Sequence, residues 1–133
     1  EDRSMNDMIN RPAHYTRHGI ECVEVSERLS SALAQALQYL WRADEKGKPG
    51  LDRGKAIWWL RRERARLLAN PDARPACDDA PPFSLSRVVA PFDAHTGEAM
   101  ACIWRVAWDG AAPDDTLDLA IRLIEMRIAA GTA

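Results

Sequence analysis

The chain has 133 residues, which is enough for one domain of ordinary size. Its 18 Lys and Arg residues nearly balance its 20 Asp and Glu residues, and the net charge of −2 excludes a dedicated polyanion binder, which would show a strong basic excess. No apolar run approaches the ~18 residues that a membrane-spanning helix requires, and the polar first residues predict no signal peptide. We therefore expect a cytoplasmic protein.

The N-terminal part of the chain predicts little regular structure. Residues 1–8 are expected to be a disordered N-terminus that carries the remnant of an expression tag. Residues 9–19 are expected to be irregular because a proline interrupts them. From Ile20 the spacing of apolar residues predicts a short helix of two or three turns.

Two longer helices are expected next. Ser30 or Ser31 can cap the first of them, which should end at Gly47, since glycine readily adopts the positive φ of a helix C-terminus. Asp52 is the expected N-cap of the following helix, which should end near Asn70 because a proline follows. The two helices together predict an antiparallel hairpin.

The C-terminal half predicts a second hairpin after a linker. Residues 71–94 are proline-rich, and the alternation of polar and apolar residues at 84–89 predicts one short strand within them. Thr96 is expected to cap the next helix, and Asp114 or Asp115 the last one.

The expected fold class is mainly α, with two helix–turn–helix hairpins packed as a small bundle. A helical domain over 9–70 and a C-terminal hairpin over 95–133 would form one globular unit, joined by the linker 71–94. The charge differs between the halves, because residues 1–70 carry 13 basic and 10 acidic side chains and residues 71–133 carry 5 and 10.

Standard catalytic and nucleotide-binding motifs are absent from the sequence. It contains no G-x-x-x-x-G-K-[ST], no G-x-G-x-x-G and no H-E-x-x-H. Any nucleotide chemistry would therefore use a site without a Walker-type phosphate loop.

An acidic pair, Glu21 and Glu24, lies three residues apart on the first expected helix, so both side chains share a face. Two carboxylates on one face can hold Mg²⁺, which prefers oxygen ligands, and His14 could approach the same place. The alternative interpretation is an ordinary solvated helix face.

A basic pair, Arg42 and Lys55, flanks the turn of the first hairpin. In an antiparallel hairpin the two side chains can converge on a phosphate, which Arg binds in bidentate fashion and Lys as a point charge. The alternative is that Arg42 pairs with Asp52 and ties the hairpin together.

Three of the five tryptophans, Trp41, Trp58 and Trp59, lie near this turn. An indole can stack on a nucleobase, but it also serves as a core residue or as an anchor for a protein partner. Trp58 and Trp59 are adjacent in a helix and therefore cannot both face one core. The arginine run that follows is typical of a solvated face, and we do not expect a nucleic-acid partner.

Several short motifs in residues 9–62 occur in order at the spacing of a known family. They are Asn10-Arg11-Pro12-Ala13-His14-Tyr15, Gly19-Ile20-Glu21-Cys22-Val23-Glu24, Tyr39-Leu40-Trp41-Arg42, Lys46-Gly47, Asp52, Lys55-Ala56 and Trp59-Leu60. This part of the chain resembles the domain-of-unknown-function family numbered thirty-three ten, whose members are often labelled phage nucleotide kinase.

The resemblance implies a phage or prophage protein that binds nucleotides and acts as a nucleoside monophosphate kinase. It implies three groups of site residues: Arg42, Asp52 and Lys55 in catalysis, His14, Tyr15, Trp41 and Trp59 in nucleotide binding, and Glu21 and Glu24 as ligands of Mg²⁺. We further expect a homo-oligomer, most simply a homodimer, in the host cytoplasm.

Two other functions are compatible with the residues. One is a non-enzymatic phage protein that binds or inhibits a host protein, which the many tryptophans and the acidic second half favour. The other is an all-α, Mg²⁺-dependent nucleotide pyrophosphatase, which would need a second acidic pair drawn from Asp114, Asp115 and Asp118.

Overall fold

The computed structural model describes residues 16–17, 19–45 and 47–131 and confirms a mainly helical fold. His14 and Tyr15 lie outside the described residues, as does the N-terminus over 1–8. In chain order the elements are β1 (Thr16–Arg17), β2 (Ile20–Glu21), α1 (Cys22–Ser26), α2 (Ser31–Arg42), α3 (Pro49–Ala69), α4 (Leu85–Val89), α5 (Ala94–Trp108) and α6 (Pro113–Gly131).

Two helical hairpins form the body of the molecule, as the sequence predicts. Helices α2 and α3 pack along each other, α5 and α6 do the same, and α3 packs against α6 to join the hairpins. One hydrophobic core runs through both, with Leu37, Leu60, Ile103 and Ile124 all almost fully buried.

The first helix is shorter than predicted. Ile20 and Glu21 pair in antiparallel register with Arg17 and Thr16, so the helix begins only at Cys22. Gly19 has a φ of 77°, which lets the chain turn between the two short strands. Ile20 is buried, but it enters the core from a strand.

The turn of the first hairpin differs from the prediction at both ends. Helix α2 ends at Arg42, and α3 begins at Pro49, where the missing N–H and fixed φ of proline are tolerated. Asp52 is therefore not the N-cap but lies in the first turn of α3, nearly buried. Gly47 has the expected positive φ, 75°, but it lies in the turn beyond the end of α2 and is not the C-terminal cap of that helix.

Residues Leu85–Val89 form the helix α4, so the strand predicted at 84–89 is wrong. The Ser84 hydroxyl accepts a hydrogen bond from Arg87 N at 3.2 Å and caps α4. A local cap of this kind satisfies the backbone without a neighbouring strand. Val88 from this helix is buried in the core.

The preceding segment, 71–83, is bound to the start of the first hairpin. Ser30 N donates to the Pro75 carbonyl and Cys77 N donates to the Arg28 carbonyl, both at 2.9 Å. Ala76 between them forms an isolated β-bridge with Leu29. These residues therefore pack against the bundle as an ordered extension of it.

Asp93 caps α5, which begins at Ala94 and not after Thr96. Its carboxylate accepts hydrogen bonds from Thr96 N at 3.0 Å and Thr96 Oγ1 at 2.7 Å, and it lies 3.4 Å from Arg127 Nε. Burial opposes ionisation of Asp93, but these hydrogen bonds and the Arg127 charge outweigh it and hold the pKa below its usual value. Helix α6 begins at Pro113, so Asp114 and Asp115 lie inside its first turn and neither is its N-cap.

The three cysteines are all free but lie in different surroundings. Burial raises the pKa of Cys22 to about 12, and burial followed by the nearby Glu98 charge raises the pKa of Cys102. Cys77 is exposed, and its thiol lies 3.2 Å from the Glu27 carbonyl that it can donate to.

Among the described helices, none is long and apolar enough to cross a membrane.

Candidate functional site

Arg42 and Lys55 converge on one side chain, Tyr39, at the turn end of the first hairpin. The Arg42 guanidinium carbon lies 4.7 Å from the centroid of the Tyr39 ring, and Lys55 Nζ lies 5.4 Å from it. Both distances are within cation–π range. Two positive charges from two helices thus meet at one aromatic ring.

Asp52 contributes a negative charge to this cluster. Its Oδ1 lies 3.7 Å from Arg42 Nη2, and the two side chains keep only 8% and 24% of their surface exposed. This pair is the one expected if Arg42 ties the hairpin together. Lys55, in contrast, is exposed.

The three tryptophans near the turn have three different surroundings. Trp41 is 1% exposed and packs edge-to-face on Phe92 with a centroid distance of 5.2 Å, so it is a core residue and cannot stack on a nucleotide without unfolding its surroundings. Trp59 is partly buried, whereas Trp58 is 55% exposed. The Trp58 and Trp59 rings contact each other at 4.9 Å.

The acidic pair Glu21 and Glu24 forms a capping box at the start of α1. Glu24 Oε1 accepts a hydrogen bond from Glu21 N at 2.8 Å, which satisfies one of the free N–H groups of the helix end. As folded, the pair serves the helix and offers fewer free oxygens to a cation. Across 16–17, 19–45 and 47–131, no three His, Cys, Asp or Glu residues lie together in a way that could hold a metal.

A buried carboxylate that was not predicted from the sequence lies nearer the opposite end of α3. Glu63 is fully buried and accepts hydrogen bonds from Ser30 Oγ at 2.5 Å, Arg66 Nε at 2.7 Å and Arg66 Nη2 at 2.8 Å. The hydrogen bond to Glu63 raises the pKa of Arg66, which also donates to the Arg74 carbonyl. The only signal in the sequence is one acid within a run of arginines, at the i, i+3 spacing of a helical ion pair.

A groove of about 500 Å³ lies beside this ion pair. Trp59 forms part of its wall, and three arginines, Arg62, Arg66 and Arg74, surround it. Trp59 follows Lys55 by four residues, so the groove continues along the face of α3 from the Arg42–Lys55 cluster, one helical turn or about 5.4 Å further on.

Comparisons with protein-family models, with curated proteins and with solved structures give no match. Any functional conclusion therefore depends on the chemistry of these side chains.

Proposed function

We propose that this protein binds a nucleotide at the turn end of the first hairpin, with the phosphates held by Arg42 and Lys55. The observation that supports the proposal is the convergence of both cations on Tyr39, at 4.7 Å and 5.4 Å. Guanidinium and ammonium groups are the side chains that bind phosphate best.

Each residue of the cluster has a separate role in this proposal. Asp52 fixes the Arg42 side chain through the 3.7 Å ion pair, so that Arg42 is held in place before the ligand binds. Lys55 is exposed and supplies the charge that is free to move onto a phosphate. Trp59, one turn further along α3, supplies an indole edge or face for the base.

The proposal extends to phosphoryl transfer between ATP and a nucleoside monophosphate, because this reaction requires positioning and charge neutralisation more than covalent catalysis. In that reaction Arg42 and Lys55 would neutralise the transferred phosphoryl group. A magnesium ion at Glu21 and Glu24 remains a prediction, and the capping box already engages both side chains.

The test is calorimetric titration of the full chain with ATP and with each nucleoside monophosphate, with and without Mg²⁺. Lys55→Ala should weaken binding about tenfold or more, which is the contribution of one charge-assisted hydrogen bond. Lys48→Ala is the matched control, because Lys48 is also exposed and lies just before α3. Among the described residues the cations over the Tyr39 ring are Arg42 and Lys55, not Lys48. Chromatography of the same mixtures would detect a new nucleoside diphosphate.

Two results would contradict the proposal. One is the absence of heat for every nucleotide in the panel, and the other is an equal loss of affinity in Lys55→Ala and Lys48→Ala. Binding of a nucleotide without formation of a new diphosphate would support the binding proposal and contradict the proposed kinase activity.

A second candidate function is a non-enzymatic protein that binds a host protein, and the exposure of Trp58 favours it. An indole with 55% of its surface exposed is the kind of side chain that anchors protein interfaces. Capture of one host protein that is lost in Trp58→Ala and kept in Lys55→Ala would support this function over the first.

The biological setting belongs to the proposal as well. We propose a phage- or prophage-derived protein that acts as a homodimer in the host cytoplasm, on the strength of the resemblance over residues 9–62. Light scattering of the purified chain would test the dimer directly.

A further inference from the structure

The outward side of α3 carries an arginine–tryptophan face, which shares Trp59 with the proposed nucleotide site and extends past that site along the helix. Two adjoining grooves, of about 600 Å³ and about 500 Å³, share Arg62 and Arg66 in their walls. We define the face by the side chains that bear its charge and its rings: Trp58, Trp59, Arg61, Arg62, Arg66 and Arg74.

This face has an excess of positive charge. Among residues 16–17, 19–45 and 47–131, two carboxylates are paired with its four guanidinium groups: Glu63, which is buried under Arg66, and Glu125, which lies 3.5 Å from Arg61. Within the part of the chain that the structure describes, the guanidinium groups of Arg62 and Arg74 form no ion pair. Two cations therefore remain available to an anionic ligand.

The face also places an aromatic ring next to these cations. The Arg62 guanidinium carbon lies 5.6 Å from the centroid of the exposed Trp58 ring, and Trp58 contacts Trp59 edge-to-face. A base can stack on an indole whatever its identity, while adjacent arginines bind the backbone phosphates. The two grooves lie side by side, so the ligand that fits them is a chain and not a single small molecule.

We propose that the arginine–tryptophan face binds single-stranded nucleic acid without sequence preference. An acidic polypeptide would satisfy the arginines, but it would make no use of a flat ring with 55% of its surface exposed beside them. The net charge of −2 argues against a nucleic-acid ligand only when the charge is averaged over the whole chain. The fold instead collects arginines on one side of α3 and buries the intervening Glu63.

The test is fluorescence anisotropy of a labelled twelve-nucleotide oligothymidylate titrated with the full chain at several salt concentrations. Trp58→Ala should weaken binding about tenfold through the loss of one stacked base. Arg62→Gln and Arg74→Gln should each lower the steepness of the salt dependence by about 0.7, the value for one phosphate contact on a single strand.

Arg87→Gln is the matched control, because the substitution removes the same charge at a different place. Arg87 is exposed on α4 and lines neither groove. It should leave the affinity unchanged. The mononucleotide titration separates this proposal from the previous one, since Arg62→Gln should leave mononucleotide binding intact and Lys55→Ala should not.

Three results would overturn the inference. The first is no binding of the oligonucleotide at low salt, and the second is an equal loss of affinity in Arg87→Gln and Arg62→Gln. The third is competition by polyglutamate of equal length at equal concentration, which would assign the face to an acidic protein partner.

Discussion

Glu63 and Glu125 are two glutamates that each pair with an arginine of α3 in very different surroundings. Glu63 is fully buried and holds three hydrogen bonds, whereas Glu125 and its partner Arg61 are 51% and 63% exposed. Water screens the exposed pair, so it stabilises the fold little. The buried carboxylate has no water to replace a lost partner.

We expect Glu63→Gln to lower the free energy of unfolding by about 2 kcal/mol, because hydrogen bonds to a charged group contribute about 1.5–3 kcal/mol each and the amide cannot accept all three. Glu125→Gln should change it by less than about 0.5 kcal/mol. Urea unfolding followed by tryptophan fluorescence measures both. Equal effects of the two substitutions would show that burial of Glu63 does not determine its contribution.

The residues of the candidate site were predictable to different degrees. Arg42, Asp52 and Lys55 could be placed together from the sequence, because a hairpin brings the end of one helix to the start of the next. Tyr39 and Glu63 could not be assigned in this way. Each has one partner three residues away on its own helix and a second partner from elsewhere in the fold, Lys55 for Tyr39 and Ser30 for Glu63. One-dimensional spacing does not specify which faces of two helices meet, so the second partner could not be predicted.

At the scale of elements, helix boundaries depended on caps that the sequence offered in more than one place. Asp93 and Thr96 are both good N-cap residues, and only the fold brings Arg127 beside Asp93. Likewise, the alternation at 84–89 favoured a strand, yet no partner strand exists in the described structure and Ser84 caps a helix there. Alternation predicts a strand only where a neighbouring strand can pair with it.

The cap at Asp93 predicts a pH-dependent stability. Its folded pKa lies below its unfolded value of about 3.9, so ionised Asp93 stabilises the fold above that pH, and the contribution is lost as the pH falls through the folded pKa. Asn is as good an N-cap as Asp, so Asp93→Asn removes the charge and keeps the cap. It should therefore cost about 0.3–1 kcal/mol at pH 7 and progressively less below about pH 4.

Urea unfolding at pH 7 and at pH 3 measures this difference. Asp72→Asn is the control, since the substitution removes the same charge from a residue that is exposed in the turn after α3. A cost for Asp93→Asn that stays constant between the two pH values would contradict the electrostatic origin.

At the scale of the whole molecule, the periodic apolar residues were enough to predict two hairpins, because amphipathic helices joined by short turns pack against each other. They did not predict the position of 71–83. Backbone hydrogen bonds to Arg28 and Ser30, which any sequence could form, hold one part of that segment. Its other carbonyls accept from the side chains of Arg28, Arg66 and Trp108, which are distant in sequence, so the segment itself carries no pattern of residue types. Most of the segment stays exposed, and its position against the bundle is a consequence of where the chain passes.

Since one core joins both hairpins, we expect them to unfold together. Ile124→Ala in α6 should lower the free energy of unfolding by about 2–5 kcal/mol, and circular dichroism and tryptophan fluorescence should show the same midpoint in urea. Met126→Ala, two residues further on and 55% exposed, is the control and should have little effect. Separate midpoints for the two signals would mean that the hairpins are independent units.

The three thiols differ in their accessibility, so a thiol reagent should modify the native chain at one position. Cys22 and Cys102 are enclosed and their high pKa values suppress the reactive thiolate, whereas Cys77 faces solvent on the segment that crosses the start of the first hairpin. A maleimide dye would therefore label Cys77 alone while the protein is folded. A change in the fluorescence of the dye on Cys77 would then report detachment of the segment 71–83, and no cysteine would have to be introduced for this purpose.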